Sequence, residues 1–290
     1  MVKIKNKDRN LLIAMCIIGI VFGLASNALS LITVVFKPAD ISIFANNGYR
    51  FILEWCMQFT HLTNLLLIVA YFLFIFGWNK LKIFKNNNFL TRVVSYITLV
   101  MIVAWFALTP IVALNHFGGS DNTAIARTLF EHTTCPIIFI IFYVLQCKYN
   151  PNIKYQQVNL WKQLSISFIY PTVYFVFIVI FNHIPMPSSV FNQSSHVLNF
   201  DKNIPHYLIV YPQVTNYNPK AYEPNVINGY VYWNDKDVNF YPKSAQFIKG
   251  NYLNLIEVIV MLWSFFVFYI LFLYISLWLT QSKLIKRGNK

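Results

Sequence analysis

The sequence predicts an all-α membrane protein, a six-transmembrane-helix bundle with a long extracellular loop between the fifth and sixth helices. Three observations predict it. The 290 residues are 57% hydrophobic and only 11% charged, with a mean hydropathy of +0.51, whereas a soluble domain carries roughly 25% charged residues. Six apolar runs are each close to the about 20 residues that a hydrocarbon core of roughly 30 Å requires. Lys and Arg, finally, gather in alternate connections between those runs. Collagen-like and disulfide-stapled classes are excluded by 9 Gly, 12 Pro and 4 Cys.

The runs lie at 11–36, 51–78, 93–114, 124–147, 164–181 and 252–280. The first has a basic start and a small, polar stretch at 25–30, as a signal peptide would. It continues apolar through 31–36, longer than a signal peptide's apolar region, so it is expected to stay as a helix. Three regions follow: helices one to five over 1–181, the loop over 182–251, and helix six with a basic tail over 252–290.

Orientation comes from counting cations. The N-terminus, the connections after helices two and four, and the C-terminus together hold 15 Lys and Arg, against three (Lys37, Arg50, Arg127) in the short connections opposite. Positive charge stays on the cytoplasmic side, so both termini are expected there, in the cell membrane. The formal net charge of +13 is explained in the same way and implies no nucleic-acid partner. Cys16, Cys56, Cys135 and Cys147 sit within or at the ends of apolar runs with no C-x-x-C pair, so neither structural disulfides nor a metal site is expected, and no cofactor.

The loop over 182–251 is rich in Tyr, Asn and Pro and alternates at 206–211 (HYLIVY) and 229–233 (GYVYW). Such runs suit short strands, so a small hairpin-containing external cap is expected.

Ionisable residues inside spans are costly and mark function by default. Glu54 and His61 fall in the outer half of helix two, Glu131 and His132 in the outer part of helix four, and Glu257 near the outer end of helix six. The inner halves are nearly pure hydrocarbon. At about 100° per residue, Arg50, Glu54, Gln58, His61 and Asn64 share one face of helix two. Both helices open with Arg and Glu four apart, a spacing that lets the two side chains pair. Thr60 and His132 lie about 15 Å and about 12 Å below the starts of their helices, so a shared water-accessible pocket is expected at that depth.

Two segments then carry a resemblance: 59–65 reads FTHLTNL on helix two, and 131–136 reads EHTTCP on helix four. With six spans and cytoplasmic termini, the chain resembles the androgen-induced membrane protein family. Its eukaryotic members hydrolyse fatty acid esters of hydroxy fatty acids with an intramembrane Thr nucleophile and a His partner; bacterial relatives of unknown function carry similar motifs. Tyr170, Pro171 and Tyr174 match a Y-P-x-x-Y pattern, and Tyr241 with Pro242 a Tyr-Pro pair before the last helix. The resemblance implies His132 as the family His and Thr60 as the family Thr, with Thr63 the alternative. The chain departs from the eukaryotic pattern in having one residue, Cys135, between Thr134 and Pro136, and in its much longer fifth loop.

A Thr hydroxyl needs a base to become a nucleophile. On this reading His132 takes the proton of Thr60, and Glu54 or Glu257 orients the ring. His61 and Asn64 face a developing oxyanion, and Glu131 lines the substrate pocket. The expected substrate is a membrane lipid or hydrophobic small molecule, and the expected reaction is ester hydrolysis. The competing class is a binding or transport subunit, which a polar outer cavity would also suit, although no pair of interrupted helices supports transport.

Overall fold

The computed structural model describes residues 6–36, 45–76, 88–105, 122–149, 160–182, 188–190, 224–227, 230–233, 263–276 and 278. Its helices are α1 (Asn6–Val35), α2 (Phe59–Phe76), α3 (Asn88–Val103), α4 (Asn122–Leu129), α5 (Cys135–Tyr149), α6 (Leu160–Asn182) and α7 (Trp263–Ser276). Three stretches, Asn6–Val35, Phe59–Phe76 and Ala126–Tyr149, are long and apolar enough to cross a membrane, and Asn88–Val103 and Trp263–Ser276 are shorter apolar helices. An α-helix suits such a solvent because it satisfies its backbone polar groups internally. The outward faces are hydrocarbon: Ile17, Val21, Leu24, Ile32, Val173 and Ile180 are all about half exposed or more.

Helices two and four are not the single continuous helices expected. A π-helical segment, Arg50–Cys56, precedes α2, and the chain breaks at Met57 and Gln58 before α2 begins. A second π-helical segment, Phe130–Thr134, joins α4 to α5. Asn46 caps the single turn Asn47–Tyr49 ahead of the first segment, its side chain accepting from the Tyr49 N–H at 3.0 Å. The second π segment covers most of the EHTTCP stretch, and the first ends just before the FTHLTNL stretch that opens α2. Wide turns of this kind are commonly found at functional sites.

α1 buries one stripe, Leu12, Cys16, Gly19, Gly23, Ser26, Asn27 and Ser30, which follows the helical repeat of three or four residues. The core against it contains Tyr71 of α2, Leu90, Val93, Val94 and Ile97 of α3, and Phe139, Phe142 and Tyr143 of α5. The Tyr71 ring meets Phe139 and Phe142 edge-on, with centroids at 5.3 and 5.2 Å, the geometry that the ring quadrupoles favour.

Polar side chains tie the remaining helices together. Tyr143 donates to the Phe272 carbonyl at 2.9 Å, and Thr91 meets the same hydroxyl at 2.9 Å, joining α3, α5 and α7. Arg92 donates to Gln163 at 2.6 Å and to Ser167 at 3.2 Å. Pro171, inside α6, has no N–H to give to the carbonyl four residues earlier. That acceptor is Ser167 O, and Tyr96 of α3 donates to it at 2.7 Å. A buried carbonyl left unpaired costs about 1–3 kcal/mol. Tyr96→Phe is therefore expected to lower stability by that amount. The Tyr71 hydroxyl, in contrast, is buried with no hydrogen-bond partner among the described residues, so Tyr71→Phe should leave stability unchanged or raise it. Thermal unfolding of the two variants in one detergent checks the contrast.

Strands β1 (Pro224–Ile227) and β2 (Tyr230–Trp233) pair antiparallel, with Ile227 opposite Tyr230 and Pro224 opposite Trp233. The two residues between the strands are Asn228 and Gly229, the pair that a two-residue hairpin turn prefers. The expected strand at 229–233 thus corresponds to β2. The run at 206–211, and 252–262 at the start of the sixth apolar run, lie outside the described residues.

Candidate functional site

The site forms where α1, α2 and the Phe130–Thr134 segment meet. His61 stands in the first turn of α2, is 1% exposed, and both of its ring nitrogens are engaged. Nδ1 lies 2.9 Å from the Trp55 carbonyl. Nε2 lies 2.7 Å from the Ser30 hydroxyl of α1 and 3.3 Å from Glu131 Oε1. The Trp55 carbonyl also accepts the Gln58 N–H at 3.3 Å, where the chain leaves the π-helical segment. The ring of Trp55 also stacks on the imidazole, with centroids 5.3 Å apart and planes 20° apart, and Phe51 stacks on Trp55 in turn.

These contacts fix the chemistry of the ring. A carbonyl oxygen only accepts, so Nδ1 carries the proton and donates it to Trp55. In the neutral ring Nε2 is therefore an acceptor, and the Ser30 hydroxyl donates to it. The carboxylate of Glu131, 4% exposed, becomes a full ionic partner once Nε2 takes up a proton. The contact between Glu131 and His61 is thus a salt bridge only when the ring carries both protons. A buried pair of this kind holds together only with good geometry and further hydrogen bonds.

The neighbours extend the collar. Asn64, one turn beyond Thr60 on α2, donates to the Glu131 carbonyl at 3.4 Å. Thr63 meets the Tyr170 hydroxyl of α6 at 3.4 Å, and Tyr174 donates to the Met57 carbonyl. Phe59 lies between those two tyrosines, with centroids at 5.3 and 5.0 Å. The Y-P-x-x-Y segment thus seats the start of α2. Thr133 accepts from Trp105 Nε1 at 2.9 Å.

The expected residues divide as follows. His61, Asn64 and Glu131 come together. Thr60 is buried beside them, and His132 adjoins Glu131 with its Nδ1 buried and without a hydrogen-bond partner among the described residues. No hydrogen bond joins Thr60 to His132. The Arg–Glu spacing does not produce pairing in helix four, where the Glu131 carboxylate turns to His61. In helix two, Arg50, 2% exposed, donates to the Val35 carbonyl at 3.3 Å, at the C-terminal end of α1 where a cation is favoured. The Glu54 side chain and all of Glu257 lie outside the described residues. Among those residues no three metal-ligating side chains converge.

Sequence reasoning missed Ser30. Its signal was the small, polar stretch at 25–30, where Ser26, Asn27 and Ser30 share the buried stripe of α1.

No family model matches the chain, and no solved structure matches it. Over 198 residues, 67% of this chain and 71% of the relative, it is 28% identical to a Mycoplasma pneumoniae protein described as "Uncharacterized protein MG452 homolog". The two are distant homologues.

Proposed function

We propose that this chain is an integral membrane hydrolase that cleaves acyl esters of a membrane lipid or hydrophobic small molecule. Its termini face the cytoplasm, and its centre sits in the outer half of the helix bundle. The observation that carries this reading is the buried Glu131–His61 pair, whose atoms approach to 3.3 Å from separate segments of the chain. An imidazole and a carboxylate kept inside apolar helices are expensive to hold, and a base oriented by a second group is what activates a hydroxyl nucleophile.

The motif resemblance supports the same class. It supplies Thr60 as nucleophile and His132 as its partner, and the substrate as a fatty ester. Glu54 and Glu257 would complete the polar lining of the pocket. The reaction needs no cofactor: a hydroxyl, an imidazole and water suffice for acyl transfer and hydrolysis.

Protein purified in mild detergent is expected to hydrolyse a fluorogenic long-chain acyl ester. Loss of a general base lowers turnover by about 100-fold or more, so His61→Ala should show at least that loss. Thr60→Ala and His132→Ala test the pair that the resemblance names. Folded wild-type protein that turns over no acyl ester would end the hydrolase reading. Saturable stabilisation by the intact ester, without cleavage, would put a binding protein in its place.

A further inference from the structure

We propose that Ser30 of α1 is the nucleophile of this centre and His61 its general base. The proposal rests on the hydrolase reading and assigns its chemistry to a residue that neither the motifs nor the resemblance names.

The hydroxyl's partner sets Ser30 apart. A Ser or Thr inside a helix commonly bonds back to the carbonyl four residues earlier, as several do here, while Thr63 and Thr91 meet tyrosine hydroxyls of other helices. Ser95, Ser165 and Ser167 donate to the carbonyls of Thr91, Trp161 and Gln163, and Thr33 and Thr98 to those of Leu29 and Val94. Ser30 instead reaches across to Nε2 of His61 at 2.7 Å. That is the reach a base needs to take a proton. Thr60 has no such contact with either histidine.

The ring is prepared for the transfer. Its Nδ1–H is held by the Trp55 carbonyl at 2.9 Å, which leaves the Nε2 lone pair aimed at the hydroxyl. Glu131, 3.3 Å from the same nitrogen, stabilises the imidazolium that forms. The carboxylate is thus on the nitrogen that works, and a backbone carbonyl does the orienting. This is a Ser–His pair in which the carboxylate sits on the other nitrogen from the usual triad arrangement.

The steps balance. His61 Nε2 takes the Ser30 proton as Oγ bonds to the ester carbonyl carbon. The carbon–oxygen bond to the alcohol then breaks, and the leaving oxygen collects that proton, giving acyl-Ser30 and a free alcohol. Water next gives a proton to Nε2 as it attacks the acyl carbon. The bond to Oγ breaks, Ser30 regains its hydrogen, and a carboxylic acid leaves.

The test treats full-length protein in detergent with a long-chain alkyl fluorophosphonate, maps the adduct by peptide mass spectrometry, and follows hydrolysis of the acyl ester. The expected result is an adduct on Ser30, absent in Ser30→Ala and in His61→Gln, with turnover in Ser30→Ala down at least about 100-fold and its unfolding temperature near wild type. Ser30→Cys keeps a nucleophilic atom in place. It is expected to accumulate a thioester that hydroxylamine releases, which a merely structural serine would not. An adduct on Thr60, or full turnover in Ser30→Ala, overturns the assignment and leaves the hydrolase reading standing. Ser30→Cys that is folded and active but forms no thioester also overturns it. Neither adduct nor turnover in folded wild-type protein overturns both.

Discussion

His61→Leu is expected to destabilise the protein by about 3–5 kcal/mol, because it removes the ring whose protonated form is the ionic partner of the buried Glu131 carboxylate. The reverse change should cost much less. In Glu131→Leu no buried charge is left without a partner, and both ring nitrogens keep theirs, Nδ1 the Trp55 carbonyl and Nε2 the Ser30 hydroxyl. Only the contact at 3.3 Å is lost. The double variant His61→Leu/Glu131→Leu should then recover most of the loss, since replacing a whole buried ion pair by apolar groups is often neutral or stabilising. Thermal unfolding of the three variants in one detergent reads the asymmetry. Equal costs for the two single changes, or a double variant as weak as the sum of the singles, would mean that the pair does not carry the charge burial described here.

Most of the helical framework could be read from the apolar runs, because hydrocarbon length and backbone self-satisfaction leave helices as the economical solution. The face of α2 could be read as well. Thr60, His61, Thr63, Asn64, Leu67, Ile68 and Tyr71 are buried, at the spacing a regular helix imposes. The irregular part of helix two was not legible. Placing Arg50 and His61 on one face assumes about 100° per residue throughout, whereas a π-helical turn and the break at Met57 and Gln58 intervene, and both side chains reach α1.

Placing helix-two and helix-four polar groups at one level anticipates that they meet, and His61 and Glu131 do. Which imidazole takes the carboxylate is a matter of rotation, and the π-helical segment Phe130–Thr134 alters the rotation just there. Ser30 was hidden for a different reason. A serine in an apolar helix is chemically satisfied by its own backbone, so nothing in its local sequence announces a partner 31 residues away. The Y-P-x-x-Y segment could be read as a motif, but its contacts with Phe59, Thr63 and Met57 depend on how α6 packs, and the pattern alone does not give that.

Gly19→Ala carries the second large expectation, and it links helix packing to the site. A Cβ at Gly19 would stand 2.2 Å from Cζ and 2.3 Å from Cε2 of Tyr71, far inside van der Waals contact. The ring cannot withdraw, because Phe139 and Phe142 meet it edge-on. α1 must therefore move off α2, at a cost of about 1–3 kcal/mol for overpacking. Ser30 is three turns further along the same buried stripe, about 16 Å at 1.5 Å per residue, so the displacement reaches the Ser30–His61 contact. A shift of about 1 Å at a reacting group can cost about 100-fold in rate. Gly19→Ala should thus lose acyl-ester turnover well beyond what its fraction of unfolded protein explains. Val21→Ala, on the outward face where the side chain is 59% exposed, should change neither property. Adding Tyr71→Ala to Gly19→Ala should destabilise by less than the two single changes together, since the methyl group then enters space the ring has left. Purely additive losses in that double variant would place the obstruction elsewhere and cut the argued connection between α1 packing and the Ser30 hydroxyl.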